Sequence, residues 1–312
     1  DALRAEAAAL RCEDLDVEVR HGSATDVVDD DGFDLVLCIG VLEYAGHEPD
    51  RFLAHLAGLV RPGGALVVAI ENRFGLAYWL QADEDHLGLP FVGLEGYPPV
   101  AATDATATVR TFSRPELAGH LTAAGLTAQR WYQPFPDYKL PTTVLTDRCY
   151  DQPDAVDLVD QLVGPPIDRS RMGGRVSADE RAIHRQVVGA GHGADMANSF
   201  LVVAATDDTA LDRRSDGDAL AWRFTGDRRR AHLRVRRLTD DGVRRIDRRA
   251  THPVDTATGD GRWLVLRSPG GATDDYTPGP NLEQVALDRI RAGDLTGVRV
   301  VLAAWSAVAD RG

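Results

Sequence analysis

The 312-residue chain carries 35 basic and 48 acidic side chains, a net charge of −13, and 44 % hydrophobic residues, enough for the core of one large or two ordinary domains. No run approaches the roughly 18–20 uninterrupted apolar residues of a membrane span, the opening residues do not read as a signal peptide, and Cys12, Cys38 and Cys149 are too scattered for a disulfide framework or a metal knuckle. The acidic balance argues against nonspecific nucleic-acid binding, so a cytoplasmic, soluble protein is the default expectation.

Residues 2–12, rich in Ala, Leu, Arg and Glu, predict a helix. Val17–Val19 is a short strand candidate. The turn at Asp29–Gly32 leads into FDLVLCIGV (33–41), the near-continuous apolar run of a parallel strand covered on both faces. Phe52, Leu53, Leu56, Leu59 and Val60 recur at helical spacing over 49–60, and Arg61-Pro62-Gly63-Gly64 is expected to stop that helix. ALVVAI (65–70) is a second buried strand, completing the strand–helix–strand unit of an open α/β sheet. Residues 71–110 lack a clear period. Ser113-Arg114-Pro115-Glu116 opens a helix over 114–124 that Gly125 closes. Thr127–Tyr132 reads as a strand, 150–197 as helical pieces broken by Gly and Pro, and Ser199–Ala205 as one more buried strand.

Past about 205 the composition changes. Residues 1–150 hold 23 acidic and 11 basic side chains, whereas 151–312 hold 25 and 24. TDDTALDRRSDGD (206–218) reads as a polar linker. Strand patterns at Trp222–Phe224, His232–Leu238 and Trp263–Arg267, with a helix at Leu282–Arg291, suggest a smaller Arg-rich, β-containing module over 206–312 that need not be complete. Its arginines (228–230, 236–237, 244–245 and 248–249) form either an anion surface or, the favoured reading, solvated strand faces paired with aspartates.

FDLVLCIGVLEYAG (33–46), the helix after it, and RPGGALVVAIENRFG (61–75) resemble the second half of a class I S-adenosylmethionine-dependent methyltransferase domain, with 127–132 and 199–205 in the place of that family's antiparallel hairpin at the sheet edge. ENRFGLAYW, EDHLGLPFVGLEGY, RTFSRPEL and PDYKLPTTVLTD look more narrowly like methyltransferase domains associated with bacterial cell-surface polysaccharide synthesis. The resemblance covers about 1–205, with an insertion at 150–197. It implies an α/β, Rossmann-like sheet, S-adenosyl-L-methionine as donor, and methyl transfer to a hydroxyl of a carbohydrate or related small acceptor, with no specific nucleic-acid partner. In the family's strand order, 3-2-1-4-5-7-6, the glycine-rich loop after the first strand and the acid ending the second have no counterpart here. The first two strands are therefore expected to be missing, leaving a truncated fragment, inactive alone, with Val17–Val19 poorly paired and an exposed edge along 34–39.

The same resemblance places the donor. Gly22, Ser23 and Ala24 stand where the family's Gly-Asp-Ala-like run contacts adenine, with Ser23 in place of the acid. Ile39, Gly40 and Val41 end the central strand, where a residue without Cβ lets backbone approach a ligand. Glu43 and Tyr44 follow at its exit, Glu43 as either a site residue or a helix cap. On the acceptor side, Glu71, Asn72 and Arg73 follow the next strand at the same sheet end. Asp85, His86, Asp137, Tyr138 and Lys139 complete the acceptor set, with His86 as general base. Lys139 is the one lysine of the chain, and a compact ammonium is not interchangeable with a guanidinium. His47, His55, His120 and His192 show no ligand spacing, and no metal site is expected. A nicotinamide-dependent oxidoreductase would want Tyr-x-x-x-Lys or a glycine fingerprint, and the sequence has neither. A noncatalytic methyltransferase-like remnant, serving as a binding or scaffold module, is the alternative.

Overall fold

The computed structural model describes residues 2–98, 109–168, 178–224, 234–240, 242–247, 273–274 and 282–309. After helix α1 (Ala2–Arg11) come strand β1 (Phe33–Ile39), helix α2 (Pro49–Gly58) and strand β2 (Val60–Glu71). The two strands run parallel, Leu35 to Ile39 lying opposite Ala65 to Ala69. Such a crossover packs a helix back onto the sheet, and Leu53 and Leu56 of α2 are the side chains buried there.

Two expectations around this unit need correction. Val17–Val19 forms no strand; a three-residue V-E-V alternation has no neighbour to satisfy its backbone. Arg61–Gly64 does not end the helix, which stops at Gly58. Those four residues are carried into β2 across a break in register. Gly64 is required there, because a Cβ would lie 2.8 Å from the Asp34 carbonyl oxygen.

Strands β3 (Ala128–Phe135), β4 (Thr143–Thr146) and β5 (Ser199–Ala205) continue the sheet, as do β6 (Ala221–Phe224), β7 (Arg234–Thr239), β8 (Gly242–Asp247) and β9 (Thr273–Asp274). The order is β1-β2-β5-β3-β4-β6-β7-β8-β9. Its first four members reproduce the 4-5-7-6 run of the expected order. β5 lies antiparallel between β2 and β3. The hairpin is not at the edge, however: β4 pairs with the far side of β3, and β6 with β4. The strands beyond 215 are thus part of the same sheet rather than a separate one. Trp263–Arg267 lies outside the described residues, as do Arg228–Arg230, Arg248 and Arg249. Arg237 grips Asp216 through two hydrogen bonds of 2.5 and 2.7 Å, the paired strand face anticipated for this stripe.

Among the described residues β1 pairs with β2 alone and forms the opposite edge. Phe33, Leu37 and Ile39 are exposed, Leu37 by 61 %, so the run read as doubly covered is covered on one side of the pleat. β2 and β5 are buried on both faces. One face packs Leu66, Val68, Ile70, Phe200 and Val202 against α2 and α4 (Arg114–Ala123); the other packs Ala65, Val67, Val203 and Ala205 against Ala210 and Leu211 of α8 (Asp208–Arg214). Helix α4 opens as read, with Ser113 and Glu116 forming a capping box. Helices α3 (Leu76–Trp79), α5 (Asp147–Tyr150), α6 (Ala155–Val163) and α7 (Glu180–Gly189) fill the segments between strands, and α9 (Leu282–Arg291) and α10 (Leu295–Ala309) follow β9. No helix among the described residues is long and apolar enough to cross a membrane.

Candidate active site

The carboxyl ends of β1 and β2 lie side by side, with the Gly40 amide donating to Ala69 at 2.9 Å. Ligands of open α/β sheets bind at this end of the strands. Gly40 takes φ +64°, and a Cβ there would stand 2.7 Å from the Tyr138 hydroxyl. Glycine is therefore fixed twice, by backbone conformation and by the aromatic wall facing it. The chain then makes one tight turn, Leu42–Tyr44, which buries Leu42 and Glu43 and leaves Tyr44 exposed. Ile39 and Val41 face outward on the open side of the same strand end.

Glu43 caps nothing. Its side chain is 3 % exposed, and its Oε2 has no hydrogen-bond partner among the described residues. Glu71, at the last position of β2, is 1 % exposed with its Oε2 likewise unpartnered, while its other oxygen accepts from Lys139 Nζ. Lys139 also donates to Asp85 at 2.8 Å. The rare lysine thus bridges two carboxylates from segments far apart in sequence. Burial alone would lower its pKa, but the adjoining Glu71 carboxylate raises it.

His86 stands between two more carboxylates. Its Nδ1 is 3.0 Å from Glu84 Oε1 and its Nε2 3.6 Å from Glu43 Oε1, with the Tyr44 ring edge-on at 5.4 Å. At 3.6 Å, Glu43 acts through charge more than through a hydrogen bond. Burial opposes the imidazolium, yet the two carboxylates outweigh it and push the pKa up to about 9. These carboxylates favour the imidazolium, so the general-base role read from the sequence requires the ring first to lose a proton. Glu84 also accepts from the backbone amides of His86 and Leu87, both at 2.8 Å; burial would raise its pKa, but the His86 ring and then these two amides hold it below the ordinary value. Tyr138 has its pKa raised, first by burial and then by Glu71.

Other expected site residues hold the scaffold. Asn72 is fully buried: its Nδ2 donates to the carbonyls of Asp195 and Ala197, both at 2.7 Å, and its Oδ1 accepts from Phe74 N. Arg73 pairs with Glu116 at 2.9 Å and covers the Phe74 ring, tying the loop to α4. Asp137 accepts from the Lys139 amide at 2.8 Å, shaping the loop that presents the lysine. Ser23 is committed to a capping box with Asp26 in an exposed turn, which His55 of α2 anchors through the Ala24 carbonyl. The hydrogen bonds of Gly22–Ala24 therefore run within that turn and to α2, not to the strand ends.

The structure brings Gly40, Tyr44, Glu71, Asp85, His86, Tyr138 and Lys139 together. The sequence reading missed Glu84, inside the run Asp83-Glu84-Asp85-His86. The signal available was an acid two residues before a histidine, close enough for its carboxylate to cap the turn and orient the ring.

Residues 2–68 match the family model described as a methyltransferase domain. This segment is similar to methyltransferase-domain sequence. It carries β1, α2 and most of β2, and so leads directly into the cluster. The ubiquinone biosynthesis O-methyltransferase of Maricaulis maris (strain MCS10) is 38 % identical over 68 residues, 21 % of this chain and 26 % of that protein. The chain thus spans about a quarter of the length of the curated relative it matches. Among solved structures, a Thermotoga maritima S-adenosylmethionine-dependent methyltransferase, described as a possible histamine N-methyltransferase, aligns with TM-score 0.36 and 16 % identity over 65 % of this chain and 70 % of that one. Phosphoethanolamine N-methyltransferase 2 of Haemonchus contortus aligns with TM-score 0.28 and 9 % identity, covering 59 % and 36 %. The likeness to a methyltransferase domain rests on the sequence match over residues 2–68.

Proposed function

We propose that this methyltransferase domain transfers a methyl group from S-adenosylmethionine to a hydroxyl of a carbohydrate or related polar small molecule. What supports the reading is the meeting of an open glycine, Gly40 at φ +64°, with a cluster of carboxylates, a lysine and a histidine at the carboxyl ends of two parallel strands. The donor is a cation with a nucleoside, and the residues present suit it. Ile39, Gly40 and Val41 offer backbone with no side chain in the way at its centre, Tyr44 offers an exposed ring, and Glu43 offers buried negative charge.

When bound, the donor supplies a methyl group on a good, neutral leaving group, so the protein's part is mainly alignment. Lys139, held between Glu71 and Asp85, presents an ammonium to an acceptor oxygen. Tyr138 walls the glycine. His86, with its Nδ1 fixed by Glu84, keeps Nε2 turned toward Glu43 and, in its neutral form, takes the proton that the acceptor hydroxyl gives up as the methyl arrives. This polar lining suits a polyhydroxylated acceptor better than a flat apolar one.

No glycine-rich loop follows a first strand in these 312 residues, so we infer that the chain by itself holds the donor weakly and turns over poorly. Calorimetric titration with S-adenosylhomocysteine tests the assignment. Saturable binding that Gly40→Val weakens at least tenfold is expected. Absence of binding up to millimolar concentration would favour the noncatalytic, scaffold reading instead.

A further inference from the structure

Glu43, Glu71 and His86 come from three separate segments: the turn after β1, the end of β2 and the loop past α3. One ligand atom from each lies within 4.8 Å of the others. We propose that these three residues bind a divalent cation, at a site that no ligand spacing along the chain announces.

Three features beyond proximity point to a cation. First, Glu43 and Glu71 are 3 % and 1 % exposed, and each keeps an Oε2 with no hydrogen-bond partner among the described residues. A buried carboxylate oxygen is normally satisfied, because leaving it bare forfeits its hydration. Second, the charges do not balance. The buried carboxylates of Glu43, Glu71 and Glu84 meet Lys139 and His86, and even with His86 charged one negative charge stays uncompensated among the described residues. Third, Glu84 Oε1 engages His86 Nδ1 at 3.0 Å and leaves Nε2 facing Glu43, so that an entering ion takes the place of the Nε2 proton, which is released to solvent. A metal-binding histidine typically has its other ring nitrogen on a carboxylate in this way.

The spacing is also near what a cation needs. Ligands about 2.1 Å from a common ion stand on the order of 3–3.5 Å apart, and His86 Nε2 to Glu43 Oε1 is 3.6 Å. One imidazole with two carboxylates and no thiolate selects Mn²⁺ or Zn²⁺ over Mg²⁺ or Ca²⁺, which favour all-oxygen shells. Lys139 occupies the other oxygen of Glu71 and is half exposed, so its ammonium can swing toward Asp85 as the ion enters.

The inference goes beyond methyl transfer and is read without donor or acceptor, so either can fail alone. Mn²⁺ is titrated into the whole chain and followed by electron paramagnetic resonance. One bound equivalent is expected, weakened at least tenfold by Glu43→Gln and by His86→Ala and unchanged by Glu48→Gln on the exposed start of α2. Circular dichroism checks that each variant folds. In the unsubstituted protein, bound Mn²⁺ should also broaden the amide resonances of Glu43, Asn72 and His86, a result that needs no variant. No bound Mn²⁺ at millimolar concentration, binding that survives both substitutions, or broadening confined to other residues would overturn the proposal.

Discussion

Replacing Gly40 by alanine probes the strand exit with a single added methyl. At φ +64° an L-residue costs roughly 1–2 kcal/mol, because its Cβ crowds the following carbonyl. The added carbon would also sit 2.7 Å from the Tyr138 hydroxyl, well inside contact, whereas Glu43 Oε1 at 3.7 Å is ordinary packing. The hydroxyl is at the far end of a rotatable, half-buried side chain, so relief of that overlap adds about 1 kcal/mol, the low end for overpacking. The total expected is about 2–3 kcal/mol, read as a lower urea midpoint with an unchanged slope. Repeating the substitution in a Tyr138→Phe background separates the contributions. Only the overlap disappears, so about 1 kcal/mol should be recovered and the backbone cost should persist. A Gly40→Ala protein within about 0.5 kcal/mol of the parent, or a double mutant with no coupling, would refute the reasoning that glycine is held by both backbone and wall.

Other outcomes follow from the same geometry. Asn72→Ala removes the bonds to two carbonyls and one amide in a fully buried loop and should cost roughly 2–4 kcal/mol in denaturant unfolding; a change within experimental error would mean that water replaces the amide. His184 is buried against the Phe135 ring, and burial drives its pKa down to about 4, against a small opposing effect of Asp160. Between pH 6.5 and 4 the unfolded chain therefore takes up a proton that the folded chain refuses, and stability present above pH 6.5 is lost as the pH falls. The loss approaches roughly 3 kcal/mol, and His184→Phe should flatten the urea-midpoint profile over that range; parallel profiles for parent and variant would contradict it. Cys38 and Cys149 are buried and their thiols pushed up to about 12 by that burial, whereas Cys12 is partly exposed. A thiol reagent should label one cysteine in the native protein and three after unfolding, and rapid labelling of three without denaturant would count against the packing of β1 and α5.

Much of the fold was legible because burial on both faces writes a plain pattern. SFLVVAA became β5 residue for residue, and LEQVALDRIR became α9. Where partners decide, the pattern misled. V-E-V alternates like a strand but has none beside it, and RPGG looks like a helix stop yet crosses into β2 because Gly64 lets it approach β1. The joining of β6 to β4 is carried by backbone pairing between segments some eighty residues apart, which no local periodicity records. The site was half legible for the same reason. Rarity marked Lys139, and position at a strand end marked Gly40 and Glu71. That Glu43, Glu71, His86 and Lys139 converge is a property of topology. Asn72 and Arg73 show the reverse, polar residues at a strand end that hold the loop instead of facing the site.

The measurement bearing most directly on the account is the amide chemical-shift map of the ¹⁵N-labelled chain titrated with S-adenosylhomocysteine up to several millimolar, a range that detects weak binding. The account predicts saturable shifts centred on Cys38–Tyr44 and extending to Glu71, with loss of the response in Gly40→Val. A map with no saturable shifts, or with shifts gathered away from the carboxyl ends of β1 and β2, would contradict it.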